Sequence, residues 1–488
     1  MSSQTELASA QRRERMISAP LFKLVPAVAL PMVVSMLIES FYNLADTYFV
    51  SFLGTTAVAA VGVNNSLMNF VQAIGMCFAL GAASYISRLL GGEENEKGSK
   101  VAATALYSAI ALVSVFAVFA IVFRGPLVTL LGATDTVKPQ AEQYAIYILS
   151  AAPFTVAYNV LYQALRAEGS TRYSMIGTLS GCLLNLALDP LFIFVFKWGV
   201  SGAALATALS KVVSVLVLLI PYLRGKSLLS IRFRFFSPVK GIYFEIFRMG
   251  IPNFLRSALM TLSMILLNNF AGSYGDSVLA AVSIANRVMM FLGSMVMGLG
   301  QGFQPIAGYC WGARAYKRVK DAFWVTSLYG LIVCVAVGTT LFILAPKVAG
   351  LFTKDDLDII SVSSYMIRVQ CLALMFHVWV IIINGIFQAT GKAINSMILG
   401  LSRQGICLIP SLILLNTFFG LNGLMVAQAI SDTVSMFIAV PMLIHVIRTL
   451  NGLEAEQAKA GAAEEVLEEP MEEAIEKSIS EAAEGAGI

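Results

Sequence analysis

The chain has 488 residues, of which 58% are hydrophobic and only 13% charged, and its mean hydropathy is +0.78. A soluble globular domain carries about twice that charge, so the composition excludes a soluble enzyme or a nucleic-acid-binding protein and requires a polytopic membrane protein. The net charge of +4 is small, and its distribution along the chain is what informs.

In chain order, residues 1–22 form a polar, basic segment, with no cleavable signal peptide before the first apolar run. Apolar runs long enough to cross a bilayer follow near 26–50, 61–87, 101–124, 141–165, 174–196 and 200–223. A second set lies near 250–273, 278–308, 322–346, 359–387, 394–418 and 422–447. The expected fold is therefore all-α, with twelve transmembrane helices in two six-helix lobes, 23–223 and 249–450. A basic, amphipathic inter-lobe linker, 224–248, should lie on the membrane surface. Residues 451–488 are Glu-rich and poor in large apolar side chains, and are expected to be disordered or loosely helical. Pro31, Pro153, Pro252, Pro305 and Pro410 mark expected bends. All six cysteines fall inside apolar runs without a CxxC pair, and read as packing residues.

Basic residues near the span ends set the orientation. One set of loops holds Arg12, Arg13, Arg15, Arg88, Lys97, Arg166, Arg224, Arg232, Arg248, Arg314 and Lys320, among others. The opposite set offers mainly Arg124, Lys138, Lys197, Lys347 and Lys354. Both termini are accordingly expected in the cytoplasm, with the chain in the inner cell membrane.

The two halves match at an offset of about 221 residues. Pro31 aligns with Pro252, Gly54 with Gly275, Ala59-Ala60-Val61 with Ala280-Ala281-Val282, Gly81 with Gly302 and Tyr144 with Tyr365. Each repeat has an even number of spans, so a pseudo-twofold along the membrane normal should relate the lobes. Repeats of this kind house substrate at their interface and alternate access by rocking.

Ionisable residues inside spans are rare and mark function by default. Glu39, Asn43 and Asp46 lie at i, i+4 and i+7 on the first span. Asn185 and Asp189 form an i, i+4 pair on the fifth, and Thr207 lies on the sixth. Counted from the outer span ends, Asp46, Asp189 and Thr207 each lie roughly 9–11 Å deep, with Asn185 a turn deeper. Two carboxylates, an amide and a hydroxyl thus share a layer, and hard cations prefer such oxygen ligands. Keeping a carboxylate charged at that depth costs about 2.5–3.5 kcal/mol, and protonating a normal aspartate at pH 7 costs about 4 kcal/mol. The two figures are close, so a shared proton and a bound Na⁺ both stay open. Glu39 reads equally as a second protonation or substrate-contacting site and as a structural carboxylate.

The second half shows no comparable acid in its spans, but Arg256, Arg287, Arg368, Arg403 and His377 instead. Arg287 and Arg368, about 13 Å from the outer ends, are candidates for a cavity that favours anionic or polar groups. The alternative is that they cap helix carbonyls. Gly298-Leu-Gly300-Gln-Gly302 is a close-packing glycine run rather than a dinucleotide loop. Gly385 to Ala393 fails the P-loop pattern by one residue and a missing hydroxyl. With no ATPase signature, energy must come from an ion gradient, and no cofactor is expected.

Four motifs together resemble the multidrug and toxic compound extrusion (MATE) family, in its prokaryotic DinF-like/MepA-like branch. They are Pro31…Asn43-Leu-Ala-Asp46-Thr47, Gly54…Ala59-Ala60-Val61-Gly62, Asn185-Leu-Ala-Leu-Asp189-Pro190 and Gly199…Gly202-Ala203-Ala204…Thr207. The resemblance covers about residues 20–450. It implies two six-helix lobes around a central cleft and Na⁺- or H⁺-coupled export of amphipathic, often cationic, drug-like molecules by a monomer that is not an enzyme. It also implies that Asp46, Asn185, Asp189 and Thr207 bind the coupling cation. The alternative within the same superfamily is a lipid-linked oligosaccharide flippase.

Overall fold

The computed structural model describes the backbone of residues 3–353 and 356–485, and the side chains of residues 10–353 and 356–459. Lys354, counted above among the outer basic residues, lies outside them. All regular elements among the described residues are helices. The first is α1 (Ser3–Ser18). The amino-terminal lobe follows with α2 (Leu21–Ser51), α3 (Thr55–Gly91), α4 (Asn95–Val122), the short α5 (Arg124–Leu130), α6 (Lys138–Ala167), α7 (Thr171–Pro190) and α8 (Gly199–Leu223). The second lobe holds α9 (Lys240–Ser273), α10 (Asp276–Gly312), α11 (Tyr316–Ala349), α12 (Leu357–Ala389), α13 (Ala393–Leu401) and α14 (Leu408–Gly485).

Eleven helical stretches among the described residues are long and apolar enough to cross a membrane. The last, Ala393–Lys459, spans 67 residues, about three times what one crossing needs. It is broken at Gly420, whose φ of 57° and ψ of −137° leave the helical region; such a backbone is tolerated by glycine, which lacks a Cβ. The break divides this stretch into two crossings, which brings the total to the twelve read from the sequence. The chain is a multi-pass membrane protein.

The repeat governs how the lobes meet. A Cβ on Gly81 of α3 would collide with the Ile246 backbone of α9, and one on its repeat partner Gly302 of α10 would collide with the Ala29 backbone of α2. Small residues are what let membrane helices approach this closely. Gly298 likewise faces Val33, so the glycine run of α10 is a packing surface.

The chain near Met16 and the chain near Asn451 meet at the start of α11. Arg318 donates from Nε to Met16 O at 3.1 Å, and Lys320 Nζ reaches Asn451 Oδ1 at 2.6 Å. The lobes are bonded together. Arg166, buried on α6, donates to Gln301 O at 3.1 Å and to Gln304 Oε1 at 2.9 Å on α10. Arg88 pairs with Glu245 at 2.9 Å. Among the described residues, the cross-lobe hydrogen bonds stop at Ser40–Ser294, where the hydroxyls are 2.6 Å apart. One residue further along α2, the Phe41 ring meets that of Phe291 on α10, with centroids 5.0 Å apart.

Three segments outside the spans take definite shapes. In the amino-terminal segment, α1 docks on both lobes through Arg12–Glu168 at 3.0 Å, Arg13 Nε to Gly91 O at 2.9 Å, and Arg318. The linker ends early, because Ile242, Ile246 and Met249 fall on one buried face and draw Lys240–Arg248 into α9. The remainder has no regular structure except for a 3-10 turn at Phe233–Phe235, and Tyr107 donates from Oη to Ile231 O at 2.8 Å. Finally, α14 runs on as helix to Gly485, through the tail read from sequence as disordered or loosely helical. Its Ala- and Glu-rich sequence is intrinsically helix-forming.

Candidate cation-coupling site

Asp189 owes its position to the proline after it. Pro190 has no N–H to continue the ladder, and α7 widens into a π-helical turn over Leu191–Val195. Such turns recur at functional sites because they re-aim the side chains beside them. One turn earlier, Asn185 lies on the same face. With its amide nitrogen toward the acid, Asn185 donates to Asp189 Oδ2 at 2.7 Å and accepts from Thr207 N, on α8, at 3.2 Å. Asp46 of α2 completes the set, with its carboxyl within hydrogen-bonding reach of that of Asp189. Asp46, Asn185, Asp189 and Thr207 are thus brought together, and Asn185, Asp189 and Thr207 are all buried.

Each carboxyl keeps one buried oxygen, Asp46 Oδ1 and Asp189 Oδ1, with no protein partner. A buried acceptor left unmatched is costly, and two ionised carboxylates at contact distance repel strongly. A cation shared between them removes both penalties. With the Asn185 amide oxygen taken up by Thr207 N, the oxygens left for a cation are those of the two carboxyls and the Thr207 hydroxyl, a hard-donor set that suits a hard cation. Among the described residues, no three His, Cys, Asp or Glu side chains gather to hold a metal ion.

Two tyrosines that the sequence reading passed over close the site. Tyr42 lies three residues after Glu39 and four before Asp46, and its hydroxyl pairs with the side chain of Thr207. Tyr144 of α6 is buried, facing both acids. The residues of α2 that adjoin these polar groups are therefore 39, 42 and 46. Asn43 is exposed, and its carbonyl accepts from Thr47 at 2.9 Å. Positions 42 and 43 differ by about 100° around the helix, and spacing alone could not choose between them. Glu39 lines a separate cavity of about 20 Å³, with Tyr42, Tyr158, Ser210 and Lys211. Lys211, one turn beyond Thr207 on α8, is an in-span cation that the sequence reading missed.

The second lobe requires a correction. It does contain an acid within its spans: Asp432 of α14, buried and held by Arg403 Nε at 2.6 Å and Gln428 Nε2 at 3.3 Å. Arg256 donates to Asn253 Oδ1 at 2.8 Å nearby, and His377 is buried facing Arg256, Arg403 and Asp432. The acid is already neutralised by its own arginine. Arg287 and Arg368 do not join this cluster. Arg287 is exposed; Arg368 donates to Phe342 O of α11 at 3.2 Å and lies 5.7 Å from the Phe342 ring centre, the geometry of a capped carbonyl.

The MatE family model matches residues 31–191 and 252–414, one match per lobe. The chain is 30% identical over 431 residues to the multidrug export protein MepA of Staphylococcus aureus (strain bovine RF122 / ET3-1), covering 88% of this chain and 95% of that protein. It is 31% identical over 421 residues to MepA of Staphylococcus haemolyticus, covering 86% and 92%. A solved outward-facing multidrug resistance MATE family transporter of the MOP superfamily superposes with a TM-score of 0.85 at 26% identity, covering 90% of this chain and 98% of that one. A MOP superfamily transporter from Pyrococcus furiosus, described as having a binding pocket of reversed polarity, gives 0.84 at the same identity and coverage. With both repeats matched and the fold shared end to end, this chain belongs to the MatE family.

Proposed function

We propose that the protein is a secondary active multidrug exporter, moving amphipathic, often cationic, organic compounds out of the cell in exchange for Na⁺ or H⁺. The observation that carries this reading is the pair Asp46 and Asp189, in mutual contact, each with a buried oxygen that no protein group satisfies. A site of this kind takes up a cation when the cleft faces outward and gives it up when the lobes rock inward. Occupancy pulls α2, α7 and α8 together, because each contributes a ligand. That shift in packing disfavours bound drug, which leaves into the open cleft. The bonded face, dense in basic residues, is the cytoplasmic one, with both termini inside and the chain working as a monomer.

Efflux of a preloaded fluorescent cationic dye from energised cells tests the reading. Cells expressing the wild-type chain should empty faster than cells lacking it, and collapse of both the Na⁺ and H⁺ gradients should abolish the difference. A dye content unaffected by the chain would favour a lipid-linked oligosaccharide flippase instead.

A further inference from the structure

The cavity beside the coupling site contains the parts of an organic-cation seat and an amine already lodged among them. Glu39 supplies a carboxylate to its wall, and Tyr158 supplies an aromatic face. A carboxylate next to a π face is the chemistry that recognises alkylated ammonium ions. The Lys211 Nζ lies 4.6 Å from the centre of the Tyr158 ring, the position that such a ligand's charged nitrogen would take. The ring is held in place, since the Tyr158 hydroxyl and Thr178 Oγ1 are 2.8 Å apart. Ser210 Oγ, buried and lining the same cavity, has no hydrogen-bond partner. With the lysine in residence the free volume is about 20 Å³, room for something the size of a water and not for a drug.

We propose that Lys211 is a tethered competitor for organic cations. It occupies the Glu39–Tyr158 seat and must be displaced before a substrate ammonium can enter. The inference rests on the exporter reading above and deepens it by naming a specificity-determining residue.

Two features make the lysine displaceable. Among the described residues it forms no ion pair, and its amine rests on the Tyr158 ring. The repeat gives the contrast. Lys211 aligns with Asp432 at the 221-residue offset, and there the charge is fixed by Arg403 at 2.6 Å. The two lobes thus treat one position differently: the second lobe locks it with a salt bridge, and the first seats an amine on an aromatic face. A competing charge on a flexible four-carbon stem lowers affinity for simple monocations. It also offers a partner to substrates that carry an acidic group.

The test is equilibrium binding of tetraphenylphosphonium to the purified full chain in lipid nanodiscs, without any gradient. Lys211→Met removes the charge, and Lys211→Ala removes charge and bulk. Both should bind on the order of tenfold more tightly than wild type, whereas Lys211→Arg should match it. The gain should vanish in Lys211→Met/Glu39→Gln. Affinities at or below wild type in Lys211→Met and Lys211→Ala proteins that elute as monodisperse species overturn the proposal. Gradient-driven export by wild type is measured separately, and its absence would count against the exporter reading rather than against the seat.

Discussion

Asn185 and Asp189, one turn apart on α7, are joined side chain to side chain at 2.7 Å, which ties up Asp189 Oδ2 and leaves its buried Oδ1 without a protein partner. The amide thus acts as an orienting group for the acid and, through Thr207 N at 3.2 Å, fastens α7 to α8. Asn185→Ala should therefore weaken cation affinity without removing a charge. A loss of one charge-assisted hydrogen bond, about 1.5–3 kcal/mol, corresponds to roughly ten- to a hundredfold. Half-maximal cation concentration for dye export is the quantity to measure.

Removing either acid is more severe. Asp46→Asn and Asp189→Asn each keep the shape of the side chain and lose the exchangeable charge. Export should fall to the level of cells without the protein, with membrane expression unchanged. Normal drug resistance in cells carrying either variant would contradict the assignment.

Tyr42 links the two polar sites of the first lobe, since its hydroxyl meets Thr207 and its side chain also lines the Glu39 cavity. Tyr42→Phe deletes one neutral hydrogen bond, of about 1 kcal/mol. Cation affinity should fall about fivefold, with maximal transport rate nearly kept. A larger fall in rate than in affinity would assign the hydroxyl a part in the conformational step instead.

The Arg403–Asp432 pair of the second lobe is a structural lock. Asp432→Ala strands a guanidinium in a poorly solvated site and should destabilise the protein by about 3 kcal/mol. The double change Arg403→Met/Asp432→Leu removes both charges and should recover most of that loss. Thermal unfolding of the single and double variants in detergent reads the coupling. Additive losses would mean that the two side chains do not act as a pair.

Beside α1, Glu168 is fully buried and receives Arg12 at 3.0 Å, Ser227 Oγ at 2.7 Å and Leu228 N at 2.8 Å. It gathers α1, α6 and the linker at one carboxylate. Glu168→Ala leaves Ser227 Oγ and Leu228 N without their acceptor and strips Arg12 of its ion pair, and should cost about 2 kcal/mol. It should also release α1, which limited proteolysis near Arg12 would detect.

How far the sequence foretold this arrangement depended on the kind of signal. Length and hydropathy place spans well because the bilayer allows only helices in the first lobe and the second alike. The 221-residue repeat carried the lobes and their symmetry, and Gly81 and Gly302 show why: backbone contact leaves no room for a side chain. Asp46, Asn185, Asp189 and Thr207 were legible because charges and amides at matching depth are costly unless they meet. Tyr42 was not, since an aromatic residue in a span has no polar signature and its neighbour Asn43 does. Lys211 and Asp432 stood in the spans as plainly as Asp46. The structure distinguishes them by partner, a tyrosine face for one and an arginine for the other, and no spacing rule supplies that. The course of Lys240–Arg248 went unread because basic residues at a membrane surface look alike in a linker and in the first turns of a helix.

Transport in sealed proteoliposomes, with Na⁺ and pH gradients imposed one at a time, tests the central claim most directly. An inwardly directed gradient of at least one of the two cations should drive organic-cation export by the wild-type chain, and the same gradient should drive none in Asp46→Asn or Asp189→Asn. Export that proceeds equally in those variants, or in wild type with neither gradient present, would contradict it.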